Sequence, residues 1–89
     1  MPSIELTITN EVGLHARPAA LFVQEASKFK SEISVRNGDQ EVNAKSILGV
    51  LTLGADQGCV ITVTAEGEDA EAALEAIRAL HANNFGEKE

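Results

Sequence analysis

The chain has 89 residues, of which 44% are hydrophobic, with three Phe as its sole aromatics and a formal net charge of -7. That is room for one small domain with an aliphatic core, and the apolar content argues against disorder. The acidic balance argues against nucleic acid, which needs a basic stripe to neutralise phosphates, and against an anionic membrane surface.

Residues 4–9 (Ile-Glu-Leu-Thr-Ile-Thr) alternate apolar and polar with period two, the pattern of a half-buried strand. Residues 10–14 form a loop punctuated by Gly13. A helix is expected from about Ala16 or Arg17 to about Ser27. Pro18 in its first turn removes no needed donor, although a residue before proline is biased away from helical angles, which favours Arg17 as the boundary over a place inside the helix. Ala19, Phe22, Val23, Ala26 and Phe29 fall at helical spacing as its buried face. Ile33 and Val35 mark a second strand, and Asn37-Gly38 is a hairpin signal for a type I′ turn. A third strand covers about 40–43. Ser46 can cap a short helix over 47–53, with Gly54 and Gly58 bracketing the loop that follows. Residues 59–65 read as a strand with Ile61, Val63 and Ala65 on one side. Asp69 caps a last helix striped by Ala73, Leu74, Ile77 and Leu80, which Asn83 or Asn84 could end.

The order is β-α-β-β-α-β-α in a single domain over 1–89, with 83–89 a polar tail. The expected class is α+β: a four-stranded antiparallel sheet covered on one face by three helices, an open-faced β-sandwich. Cys59 is the sole cysteine, so neither an internal disulfide nor a cysteine metal cluster is available. No apolar run approaches membrane-spanning length and the N-terminus lacks a basic-then-apolar signal pattern, which fits a reduced, cytoplasmic protein. His15 and His81 are far apart without a cysteine pair, so no metal and no cofactor is expected. His81 falls in the last turn of the final helix, where the dipole favours it, and it carries no catalytic role.

The chemistry concentrates in Gly13-Leu14-His15-Ala16-Arg17-Pro18-Ala19-Ala20. This stretch sets one imidazole at the mouth of a helix, with a guanidinium two residues on and a proline to start the turn. Amides at a helix N-terminus lack partners, and the dipole adds positive potential. A phosphoryl group on His15 would meet those amides, Ala16 among them, together with Arg17. The same features disfavour imidazolium, and a ring with a reference pKa near ~6.5 is then mostly neutral and nucleophilic at cytoplasmic pH. A capping histidine without chemistry is the bland alternative, and the Gly-x-His-x-Arg-Pro context weighs against it. Arg17, Lys28 and Lys45 are expected as the cations local to His15.

The short helix has apolar residues all round its axis. Val50 and Leu53 are its core candidates. Ile47, Leu48 and Leu51 are then exposed and, with Ala20 and Leu21 of the first helix, would form an apolar docking patch for partner proteins.

On these two stretches, Gly13 to Ala19 and Lys45 to Gly54, with further similarity from Ile4 to about Leu80, the chain resembles the HPr phosphocarriers of the bacterial phosphoenolpyruvate-dependent sugar phosphotransferase system. The resemblance implies a relay protein and not an enzyme. Enzyme I, charged from phosphoenolpyruvate, would phosphorylate His15 at Nδ1, and the group would pass to the A domain of a sugar-specific enzyme II. Arg17 would steady the phosphoryl group, Ala16 would offer its backbone amide, and Pro18 would fix the turn. A monomer is expected. Ser46 is the position that a dedicated serine kinase/phosphorylase modifies in some bacteria, and phosphate there would recast the docking face. Two other readings are a carrier for a regulatory, nitrogen-type phosphorelay and an interaction module switched at Ser46 alone. Gln24, Ser27 and Gly49 stand where certain relatives have lysine, which weakens electrostatic steering toward an acidic partner.

Overall fold

The computed structural model describes residues 2–9 and 16–83. The elements are β1 (Ser3–Thr7), α1 (Ala16–Ser27), β2 (Glu32–Asn37), β3 (Gln40–Asn43), α2 (Ile47–Thr52), β4 (Val60–Glu66) and α3 (Ala70–Ala82). The strands form one antiparallel sheet in the order β1-β4-β2-β3. Period-two alternation sends Leu6, Ile33, Val35, Ile61, Val63 and Ala65 to one face, where all are buried. Rows such as Glu5–Thr62–Arg36–Glu41 run across the other face, which is polar. All three helices cover the apolar face: Ala19, Phe22 and Ala26 from α1, Val50 from α2, and Ala73, Leu74 and Ile77 from α3 are buried in the same core. The α+β architecture and element order expected from the sequence are therefore observed. Among the described residues no helix is long and apolar enough to cross a membrane.

Four local expectations need correction. The first strand ends at Thr7 rather than residue 9, because the β1–β4 ladder closes at Thr7↔Val60 and then bulges. Gly58 and Cys59 together face the single residue Ile8: Gly58 donates its N–H to the Ile8 carbonyl at 2.8 Å, and Ile8 donates to the Cys59 carbonyl at 2.8 Å. Gly58 has φ 94°, the left-handed geometry that puts glycine first in this kind of bulge. The same bulge takes Cys59 out of β4. Second, the hairpin turn is shifted by one residue. Asn37 pairs with Gln40 inside the ladder, so Gly38 and Asp39 form the turn, with Gly38 at φ 64°. Third, Arg17 lies within α1, so the bias from Pro18 does not hold off the helix; Pro18 itself is fully buried. Fourth, Asp69 occupies the cap position of α3, but its carboxylate makes no cap hydrogen bond.

The Asp69 carboxylate instead crosses to the turn between α1 and β2. It accepts from the Lys30 N–H at 2.9 Å, the Ser31 N–H at 2.9 Å and the Ser31 hydroxyl. The Ser31 hydroxyl first, then the Lys30 amide, holds its carboxyl down at about 2 against the opposing effect of desolvation. Gly67 makes this approach possible. It has φ 147°, and a Cβ there would lie 2.5 Å from Ser31 Oγ and 2.8 Å from Ser31 Cα.

Candidate functional site

The candidate site residues that the structure describes stand at the N-terminal end of α1 and along the neighbouring α2. His15, Gly13 and the rest of the loop at 10–14 lie outside the described residues, as do Asn84 and Phe85. The chain is described again from the backbone of Ala16, which opens α1. An α-helix leaves its first N–H groups without intrahelical acceptors, so the amides of Ala16 and Arg17 have no acceptor within α1, while Pro18 has no N–H. The first turn of α1 carries no acidic residue. Arg17 is exposed, and Ala20 and Leu21, three and four residues on, share its side of the helix and are half-buried. On the opposite side Pro18, Ala19 and Phe22 are sunk in the core and fix the rotation of α1.

The cation set differs from expectation. Lys28 pairs with Glu25 at 3.3 Å, and Lys45 Nζ donates to the Phe29 carbonyl at 2.7 Å. Glu25 stands in the last turn of α1 and Phe29 just past its end, so both anchor points lie roughly 14 Å or more along the axis from its start. Arg17 is thus the described cation at the N-terminal end, and Lys28 and Lys45 belong to the far end.

α2 packs against α1 and β3. Ser46 caps it, its hydroxyl accepting from the Gly49 N–H at 3.1 Å, as the sequence suggested. The other end is held by the β2–β3 hairpin: Asn37 Nδ2 donates to the Leu53 carbonyl at 3.0 Å and Gln40 Nε2 to the Thr52 carbonyl at 3.0 Å. These side chains complete carbonyls that the helix end cannot satisfy itself. At Gly49 a Cβ would sit 3.2 Å from Val42 Cβ, so the missing side chain lets the helix lie close over β3. With both ends tied, Val50 and Leu53 are buried, while Ile47 (40% exposed), Leu48 (74%) and Leu51 (36%) face outward. The expected division of α2 into core and outer residues is observed.

A family model described as "PTS HPr component phosphorylation site" matches residues 2–83. The chain belongs to the HPr family. Phosphocarrier protein HPr of Xylella fastidiosa (strain Temecula1 / ATCC 700964) is 51% identical over 83 residues, covering 93% of each chain. That of Buchnera aphidicola subsp. Acyrthosiphon pisum is 54% identical over 71 residues, 80% of this chain and 84% of the relative. The crystal structure of HPr-C-His from Thermoanaerobacter tengcongensis superposes with a TM-score of 0.95 at 50% identity, with both chains fully covered. HPr proteins are phosphohistidine carriers and not enzymes, and this chain carries a phosphoryl group in the sugar transport of the phosphotransferase system. Members of the family work between enzyme I and the A domains of enzyme II.

The sequence gives no sign of the side chains that brace α2 and the end of β1 from a distance. Asn37, Gln40 and Gln57 each donate a side-chain amide to a backbone carbonyl at least twelve positions away. No local pattern marks such a donor. His81, for which the sequence indicates only a favourable place at the helix dipole, also sets its Nε2 2.6 Å from the Thr7 carbonyl and ties α3 to the end of β1.

Proposed function

We propose that His15 is the residue that accepts and returns the phosphoryl group, within a single-domain carrier acting in the cytoplasm. The supporting observation is the position of residue 15 directly ahead of α1, whose opening amides at Ala16 and Arg17 lack helical acceptors and whose first turn holds no carboxylate. Arg17 is exposed at that same end and steadies the phosphoryl oxygens during transfer. Pro18, buried in the core, fixes the turn behind the site. Enzyme I delivers the phosphoryl group to Nδ1, and an enzyme II A domain removes it. Both dock on the apolar surface made by Ile47, Leu48 and Leu51 with Ala20 and Leu21, which accounts for three large apolar side chains left in water on one short helix.

Ser46 is the second site in this reading. A serine kinase/phosphorylase would convert the hydroxyl that now accepts from Gly49 into a dianion at the edge of the docking surface, and so weaken partner binding by changing its charge.

The test is incubation with phosphoenolpyruvate and enzyme I, followed by intact mass. One acid-labile phosphoryl group is expected on the native chain and none on His15→Gln. An acid-stable adduct at Ser46, with none at His15, contradicts the proposal.

A further inference from the structure

We propose that Asn37 and Gln40 are positioning residues for partner docking: their side-chain amides hold α2 at the setting that presents Leu48 and Leu51 to enzyme I. The inference rests on the reading of α2 as the docking helix. Asn37 Nδ2 donates to the Leu53 carbonyl and Gln40 Nε2 to the Thr52 carbonyl, each at 3.0 Å. The two donors stand directly opposite each other, since Asn37↔Gln40 is the last pair of the β2–β3 ladder before its turn.

Three features make these contacts a built clamp. The pleat aims both amides: Val35 pairs with Val42, Val35 is buried, and Val42 packs against the core. Asn37 and Gln40 lie two positions from these valines, so both turn to the same face, toward the helix layer. The hairpin that bears them is itself braced, with Gly38 at φ 64° in the turn and Arg36 Nε donating to the Gly38 carbonyl at 2.8 Å. Finally, α2 depends on donors from outside. A helix of six residues is too short to sustain itself in water. Its Gly49 carbonyl is met by Thr52 Oγ1 at 2.7 Å and its Val50 carbonyl by the Leu53 N–H at 3.2 Å, both from within the segment. The Thr52 and Leu53 carbonyls are met from the hairpin. Since a Cβ on Gly49 would lie 3.2 Å from Val42 Cβ, β3 meets α2 at two points, Val42 and Gln40, and β2 adds a third at Asn37. Three points fix the tilt and the rotation of the helix that leaves Leu48 74% and Leu51 36% exposed. A partner that covers these side chains meets them already set, so the cost of ordering the last turn falls on folding and not on docking. The clamped carbonyls belong to α2 and not to α1, whose first turn offers the amides for phosphate, so the clamp acts on binding and leaves the transfer step alone.

The experiment compares the native chain with Asn37→Leu, Gln40→Met and the double variant, substitutions that keep side-chain length and lose the donor. Steady-state phosphorylation by enzyme I is measured on each, with amide hydrogen exchange at Leu51 and Thr52. KM for enzyme I is expected to rise about threefold in each single variant and on the order of tenfold in the double, with kcat unchanged within roughly twofold and faster exchange at both amides. Two controls accompany them. Asp69→Asn loosens the fold at the β4–α3 turn and is expected to leave KM unchanged; a rise equal to that of the double variant means lost stability alone is at work and overturns the positioning role. Leu48→Ser tests the docking reading directly and is expected to raise KM. If Leu48→Ser raises KM while the double variant does not, or if the double variant lowers kcat alone, the positioning role is overturned and the docking reading stands. Unchanged KM in Leu48→Ser overturns the docking reading instead. Should the double variant not fold, the two single variants, each keeping one tie, carry the same test.

Discussion

The starts of α2 and α3 solve the same problem in different ways. Each helix begins after a residue whose side chain suits a cap, Ser46 in one and Asp69 in the other. Ser46 closes its own helix, accepting from Gly49 three residues on. Asp69 leaves the α3 amides and binds the turn 38 and 39 residues earlier in the chain. The first is a local device that closes the start of α2. The second is a tertiary latch that joins the α1–β2 turn to the β4–α3 turn. A short polar residue before an apolar run thus marks where a helix starts, while the partner of that side chain depends on what the fold brings near it.

The comparison can be broken at either site. The largest effect is expected from Gly67→Ala, which drives a methyl into Ser31 at a φ that side chains resist; a loss of about 3 kcal/mol by urea unfolding is predicted. Asp69→Asn comes next and is distinguished by pH. The folded carboxyl titrates at about 2 against an ordinary 3.8, so the latch contributes fully above about pH 4 and is lost as pH falls from there toward about 2. The native chain should lose stability across that window, and the variant should start lower and fall less. Ser46→Ala removes only the local cap and should cost about 1 kcal/mol. Leu48→Ser touches neither device: unfolding should change by less than about 0.5 kcal/mol, while KM for enzyme I rises. Equal pH profiles for Ser46→Ala and Asp69→Asn would remove the distinction between the two starts.

Most of the fold was legible because it depends on periodicity. The alternation of β4 and the stripes of α1 and α3 are each contained in one segment; of the residues they assign to the core, Phe22, Ile61, Val63, Leu74 and Ile77 are among those buried, while Val23, Phe29 and Leu80 are half-buried against it. The outward faces of Ile47, Leu48 and Leu51 followed from counting apolar residues on a helix too exposed to bury them all. The errors occurred where a side chain answers to a distant segment. Asn37 read as a turn residue because Asn-Gly is a hairpin signal, yet its amide serves the end of α2. Lys28 and Lys45 read as cations of the His15 region because charge alone was visible, and the length of α1 separates them from it. Gln57 gave no signal at all, since its partner is 48 positions away.

The central claim is that one imidazole carries the phosphoryl group. The direct measurement is 1H–15N NMR of the histidine-labelled chain after incubation with phosphoenolpyruvate and enzyme I. A change in both ring nitrogens of His15, with phosphorus coupling at Nδ1 and His81 unmoved, is the predicted result. Phosphorus coupling at His81, or phosphate gained while the His15 ring stays unmodified, would contradict it.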